Sequence, residues 1–350
     1  MNETICRFYS TNLENMKKFF LSTMVFFLFW GCSERPYPKS DHFNGKTFFN
    51  PDSTYQKKSL WDVMHWRFTG ERPEWKYKEV RTLERIPENT TRDSVKITWI
   101  NHSTFFIQID SFTILTDPVW SERVSPVSFA WPKRYHKPTV SLDELGRVDL
   151  VIISHNHYDH LDISTLDSLK KLYNPKILFP LGDEELMADA QLNNSRAMDW
   201  WQTEKLGPLT ITFTPARHWS ARGIFDRFAS LWGSYRIDGG PKSLYFAGDT
   251  GYGPHFKQIR EKMGPVDIAF LPIGAFQPVW FMQQNHMGPR QVLPAMEDLK
   301  AQHSLVMHMG TFKLGDDKQE EPKVLLDSLL QNTEDRMRIT YPEAGTIYSF

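Results

Sequence analysis

Residues 155 to 160 read His155-Asn156-His157-Tyr158-Asp159-His160, directly after an apolar run, Val148 to Ser154, that reads as a buried strand. Four side chains able to bind a cation thus fall within six residues at a strand end. Alternate side chains on extended backbone point the same way, so His155 and His157 share one side. The turn that follows can return Asp159 and His160 to the same cavity, as a helix starts at Asp162. Imidazole together with carboxylate suits zinc or a similar divalent ion. Calcium would want oxygen ligands alone.

One such cluster would serve a structural site, but distant segments offer more ligands in the same setting. His218 follows the predicted strand Leu209 to Thr214, Asp249 follows Ser243 to Ala247 in the turn Gly248-Asp249-Thr250-Gly251, and His308 closes Leu305 to Met307. The set becomes His155, His157, His160, His218 and His308 with Asp159 and Asp249, all at the carboxyl ends of predicted strands, where α/β sheets gather ligand-binding groups. Seven ligands are too many for one tetrahedral ion. They suit two metals about 3.5–4 Å apart, each with about three protein ligands and a shared carboxylate.

The elements around these residues predict a layered α/β domain over residues 92–350. Further strands are expected at Lys96 to Ile100, Thr104 to Ile109, Phe112 to Thr116, Leu150 to Ser154, Lys176 to Phe179, Ser230 to Ile237, Ile268 to Pro272 and Gly345 to Phe350. Helices are expected after Asp162 and near Asp183 to Asn193, Pro254 to Met263, Gly288 to Leu299 and Glu321 to Leu330. Residues 32–91 read as a linker and an extension packed on this domain. Within it Leu60, Val63, Met64 and Arg67 form a helical stripe expected to face the larger body.

The order H-x-H-x-D-H, then His, Asp and His, resembles the metallo-β-lactamase superfamily. Phe48-Phe49-Asn50-Pro51, Thr116-Asp117-Pro118, Pro132-Lys133-Arg134, Gly248-Asp249-Thr250-Gly251-Tyr252, Pro272-Ile273-Gly274-Ala275, Trp280-Phe281-Met282 and His308-Met309-Gly310-Thr311-Phe312 narrow the match. They are similar to the N-acylphosphatidylethanolamine-hydrolysing phospholipase D branch, from about Asp41 to Phe350. The resemblance implies a four-layer αβ/βα sandwich holding two zinc ions per chain. His155, His157 and His218 would hold one ion, Asp159, His160 and His308 the other, and Asp249 would bridge them. His286 matches a family histidine near the active site and joins Asp159 and Asp249 as a catalytic candidate. Where mammalian members carry a Gln-Tyr pair this chain has Ser128-Phe129. These two, with Trp280, Phe281 and Met282 of an apolar loop broken by Pro278, are the candidate substrate contacts. His102 and Asp117 read equally well as groups orienting the ligands and as, respectively, a satisfied core histidine and a turn cap.

The implied activity is hydrolysis of N-acylphosphatidylethanolamine to N-acylethanolamine and phosphatidic acid. A metal pair lowers the pKa of water to about 7, which makes hydroxide available to attack phosphorus without a Ser or Cys nucleophile. Two other readings are a metal-dependent hydrolase of small soluble lactones or phosphate esters, and a non-catalytic lipid-binding lipoprotein.

The start of the chain gives an address. Lys17-Lys18, an apolar run from Phe19 to Trp30, and Gly31-Cys32-Ser33 read as an export signal over residues 1–31 ending in a lipobox, with Cys32 as the lipidated residue and either Met1 or Met16 as the start. Twelve residues span about 18 Å as a helix, short of the roughly 30 Å of a bilayer core. The expectation is an exported protein anchored to a bacterial membrane, with a phospholipid substrate and self-association as a homodimer possible. The charge balance, 41 Lys and Arg against 42 Asp and Glu, supplies no basic stripe for nucleic acid.

Overall fold

The computed structural model describes residues 35–88, 93–127, 129–130, 132–331 and 333–350. The export signal, Cys32 and Ser128 lie outside the described residues. Chain contacts divide into two compact units, one ending at Thr47 and one running from Phe48 to Phe350. In the first, the Asn44 side chain accepts from the N–H groups of Lys46 and Thr47, and Tyr37 packs edge-on against Phe43.

The second unit opens with a strap, residues 48–88, whose one regular element is helix α1 (Leu60–Thr69). Ser59 and Asp62 start it with a capping box, each side chain satisfying the other residue's N–H. The helix exists as expected, but its stripe does not face the body. No residue of α1 is buried, and Leu60 and Met64 are open to solvent.

Two seven-stranded sheets follow. The first contains β1 (Val95–Asn101), β2 (Thr104–Ile109), β3 (Phe112–Thr116), β4 (Leu150–Ile152), β5 (Lys176–Pro180), β6 (Ser195–Met198) and β14 (Ile347–Ser349), in the order β14-β1-β2-β3-β4-β5-β6. The second contains β7 (Thr203–Leu206), β8 (Leu209–Thr214), β9 (Ser234–Asp238), β10 (Leu244–Phe246), β11 (Ile268–Pro272), β12 (His303–Met307) and β13 (Ile339–Thr340), in the order β13-β12-β11-β10-β9-β8-β7. Both are mixed: β3, β4 and β5 run parallel, as do β10, β11 and β12.

Period-two alternation explains the layers. Phe105 of β2 meets Phe270 of β11 at 4.7 Å between the sheets. Its neighbour Phe106 points outward to a core of Leu115, Val151 and Ile153 closed by Leu166 and Leu169 of helix α2 (Ile163–Leu172) and Met187 of α3 (Glu184–Asp189). In the second sheet Phe246 contacts Phe270, while Tyr245 turns out to Phe256 of α4 (His255–Met263). The short α5 (Val279–Met282) precedes α6 (Val292–Leu299) and α7 (Glu321–Leu330). This is the expected sandwich of two sheets flanked by helices.

Several boundaries differ from expectation. β9 starts at Ser234 because the N–H groups of Leu231 and Gly233 bond to the carbonyls of Leu181 and Ser154 rather than to β8. The helix expected from Gly288 begins as a 3-10 turn, Pro289–Gln291, before α6. β6 and β7 escape a pattern search because they are edge strands with half-exposed, polar faces.

Candidate metal centre

The parallel directions of the strands bring the ends of β1, β3, β4, β8, β10 and β12 to one edge of the sandwich. Those ends carry His102, Asp117, His155 to His160, His218, Asp249 and His308. His102, Asp117 and His308 adopt positive φ values of 43°, 33° and 61°, the strained backbone that turns a side chain sharply back over a strand end. Before Asp249, Gly248 has φ 58°, and a Cβ there would lie 2.5 Å from Ser154 Cβ, so only glycine lets the turn approach β4 so closely.

All seven expected ligands converge, and they sort into two groups. His157 Nδ1 lies 2.9 Å from His155 Nε2 and 3.2 Å from His218 Nε2. Asp159 Oδ2 lies 3.2 Å from His160 Nε2 and 3.4 Å from His308 Nε2. Asp249 Oδ2 stands between the groups, 3.0 Å from His308, 3.3 Å from His160, 3.9 Å from His218 and 4.0 Å from His155. His286, partly exposed, reaches the same oxygen at 3.6 Å through Nδ1.

The outer nitrogens show what orients these rings. His155 Nδ1 meets Ser154 Oγ at 2.9 Å, His160 Nδ1 meets Asp117 Oδ2 at 2.6 Å, and His218 Nδ1 donates to the Asn285 carbonyl at 2.8 Å. Asp117 is itself held by the N–H and hydroxyl of Ser154. Among the inward atoms, His160 Nε2, His308 Nε2 and Asp249 Oδ1 are buried without a hydrogen-bond partner. A ring fixed from behind by an oxygen, with its free nitrogen aimed at like atoms and a carboxylate, fits a divalent cation. Clusters able to bind metal are therefore present, and they overlap: His155 with His157 and His218, Asp159 with His160, His308 and His102, Asp117 with His155 and His160, and Asp249 with His218 and His286.

Electrostatics separate the groups. Burial holds His155 and His218 well below the usual imidazole range and His157 at about 4, so the first group offers neutral nitrogens. In the second, burial works the same way, but Asp249, Asp159 and Asp117 outweigh it and keep His160 well above its ordinary value, while Asp249 and Asp159 bring His308 to about 9. Burial opposes ionisation of Asp159 and Asp249, yet the surrounding imidazoles hold both well below the carboxylate range.

His102 and Asp117 each touch a candidate ligand, His102 through Asp159 and Asp117 through His160. His102 Nε2 lies 3.0 Å from Asp159 Oδ2, and burial keeps the ring neutral, near 3, so that nitrogen donates to the carboxylate. Residues unremarked in the sequence also support the motif. Asn156 donates to Asp183 at 2.9 Å, Ser230 donates to the same carboxylate, and Arg222 holds the carbonyls of Asn156 and Leu161. Asp183 follows β5, and the strand-end rule that found the ligands applies equally to it.

The candidate substrate contacts do not form one group. Phe129 is exposed, Trp280 is partly exposed and contacts His65, and Phe281 stacks on Trp66. Met282 is buried, as is Phe276, so the apolar loop is partly core. Trp219 walls the centre, packing 4.5 Å from His157.

Residues 113–309 match the family model of the beta-lactamase superfamily domain. The chain is 35% identical over 251 residues to the N-acyl-phosphatidylethanolamine-hydrolyzing phospholipase D 1 of Caenorhabditis elegans, covering 68% of this chain and 70% of that protein. It is 30% identical over 239 residues to a metal-dependent hydrolase of Methanopyrus kandleri, covering 67% and 93%. A metallo hydrolase from the archaeon Ignicoccus hospitalis has a similar structure, with a TM-score of 0.52 at 25% identity over 73% of this chain and 98% of that one. Paired sheets flanked by helices, a histidine and aspartate cluster at one edge, and these matches together establish that the chain belongs to the metallo-β-lactamase superfamily of metal-dependent hydrolases.

Proposed function

We propose that the chain is a dizinc phosphodiesterase of phospholipase D type, acting on N-acylphosphatidylethanolamine to release N-acylethanolamine and phosphatidic acid. The observation that carries the two-metal part is the Asp249 carboxylate standing within 4.0 Å of histidines from both groups. The identity to the nematode phospholipase supports the substrate.

His155, His157 and His218 would hold one ion, Asp159, His160 and His308 the second, with Asp249 shared. Bound zinc would supply positive charge against the phosphoryl oxygens and make water acidic enough to ionise near pH 7. The chain's own groups do the rest. His102 fixes the direction of the Asp159 carboxylate through Nε2–H, and Asp117 locks the His160 ring. His286 is partly exposed and carries a buried Nδ1 without a hydrogen-bond partner, which suits it to pass a proton to the departing group. Trp219 packs against the His157 ring. A lipid at Cys32 would keep the exported enzyme at its substrate.

The similarity to the Methanopyrus hydrolase over nearly all of that protein supports the broader reading of a metal-dependent hydrolase, for which small soluble lactones or phosphate esters are the alternative substrates. Mixed micelles containing N-acylphosphatidylethanolamine or phosphatidylcholine, with metal content measured on the same sample, separate the two. Release of N-acylethanolamine that tracks bound zinc supports the phospholipase. About two metals per chain with neither lipid cut moves the assignment to lactones and soluble phosphodiesters.

A further inference from the structure

The apolar stripe on α1 faces away from the protein. With successive residues about 100° apart, Leu60, Met64, Phe68 and Trp61 fall within an arc of about 100°. They are 82%, 48%, 79% and 79% exposed. Trp66 lies roughly opposite and makes the inward contacts, donating Nε1–H to Asp316 at 2.9 Å and stacking on Phe281 at 4.8 Å. The helix is thus amphipathic in the reverse sense, with Trp66 on Phe281 and His65 on Trp280 as its ring contacts to the body and hydrocarbon on its outer face.

A second apolar projection lies on a separate loop. Ile224 and Phe225, at the tip of the loop after His218 and Trp219, are 88% and 90% exposed. The strap ties the two projections together: Lys57 Nζ sits 4.4 Å over the Phe228 ring, and Lys58 Nζ bonds the Trp280 carbonyl at 2.7 Å. The loop borders the metal centre through Arg222, which bonds the Asn156 and Leu161 carbonyls, and the helix borders the segment that carries His286 through Trp66 on Phe281.

Scattered exposed apolar residues are ordinary, but six large ones on two segments around one site are not. The surrounding charge indicates what covers them. Lys57, Lys58, Arg67 and Arg72 outnumber Asp62 and Glu71 along residues 57–72. Arg227 adds a further cation beside Phe228. Hydrocarbon flanked by cations complements acyl chains beneath phosphate headgroups.

We propose that this rim is a docking surface for a phospholipid bilayer, with α1 lying in the headgroup plane and Ile224 and Phe225 entering beside it. The proposal extends the phospholipase reading, since a docked rim would open the metal centre onto lipid.

Hydrogen exchange of the full chain, with and without vesicles of phosphatidylcholine and phosphatidylglycerol, tests it without relying on catalysis or on the N-terminal segment. Peptides covering 60–69 and 221–228 are expected to exchange at least tenfold more slowly on vesicles. Trp61→Glu with Phe68→Glu should abolish that slowing at 60–69 while leaving bound metal unchanged. Unchanged exchange in both peptides, with the chain sedimenting on vesicles, overturns the proposal. So does slowing that appears without vesicles and grows with protein concentration, which would make the rim an interface with a second copy. Slowing without lipid cleavage would leave the docking surface standing and count against the phospholipase reading alone.

Discussion

The metal centre and the strap that borders it are held by opposite means. At the centre the rings of His155, His160 and His218 are backed by an oxygen, from Ser154, Asp117 and the Asn285 carbonyl, and the positions come from six strand ends of two sheets. The strap is tied to the body by scattered single contacts, among them Trp66 to Asp316, Trp75 Nε1 to the Asp317 carbonyl, Tyr55 to Asn285 and Asn50 to the His218 carbonyl. Its helix buries no residue. A metal site needs ligands fixed within a fraction of an ångström and draws that rigidity from the core. A surface that meets a soft partner needs only to be presented, and low local stability costs it little.

Several experiments would break or sharpen this contrast. The largest effect is expected from Asp249→Asn. Losing the shared carboxylate should cost about 4 kcal/mol of transition-state stabilisation, roughly a thousandfold in rate, and should lower bound metal measured by mass spectrometry. Near wild-type activity and metal content in that variant would show that the chemistry lies elsewhere.

The framework under the centre should respond to acid. His136 is buried between the Thr311 hydroxyl and the Lys137 carbonyl, and burial holds its pKa at about 4 against an ordinary 6.5. The folded state therefore binds fewer protons than the unfolded one below pH 6.5. The stability this provides is complete above pH 6.5 and is lost as pH falls toward 4, about 3 kcal/mol in all. Urea titrations at pH 7 and pH 4 should show that His136→Gln lacks this share of the loss. An equal loss in both proteins would assign it to other groups.

A smaller effect is expected at His102. His102→Ala frees the Asp159 carboxylate and should weaken metal binding about 10- to 100-fold. His102→Gln, which keeps a donor, should recover part of it. Loss of folding in both, seen by circular dichroism, would mean that the residue serves the core alone.

On the strap, Trp66→Ala removes an indole hydrogen bond and a ring stack, about 1–2 kcal/mol. Exchange of residues 60–69 should accelerate while metal content stays fixed. If metal is lost as well, strap and centre form one cooperative unit and the contrast fails. Smallest of all, Trp61→Glu with Phe68→Glu should change unfolding stability by less than about 0.5 kcal/mol, because both side chains lie in solvent.

The residues that meet at the centre were legible because their signal is local. A run of ligand types directly after an apolar strand places them at a sheet edge, and His218, Asp249 and His308 repeat that context. The long buried strands and α2, with its Asp162 cap, were legible for the same reason. The polar edge strands β6 and β7 were not, since only hydrogen bonds to a neighbouring strand make them strands. Nor did the sequence choose between the two readings of His102, because Asp159, its partner, lies 57 positions along the chain.

The apolar period of α1 marks the limit most clearly. Spacing determines that Leu60 and Met64 share a face, since that follows from the geometry of one helix. Whether the face meets core or solvent depends on where Trp66 finds Asp316, 250 residues away, and the tertiary structure turns the stripe outward. Side-chain chemistry and strand ends are local properties and are written in the chain. Which nitrogen of a histidine points inward, the oxygens behind His155, His160 and His218, and the outward face of a helix are settled by atoms that only folding brings together.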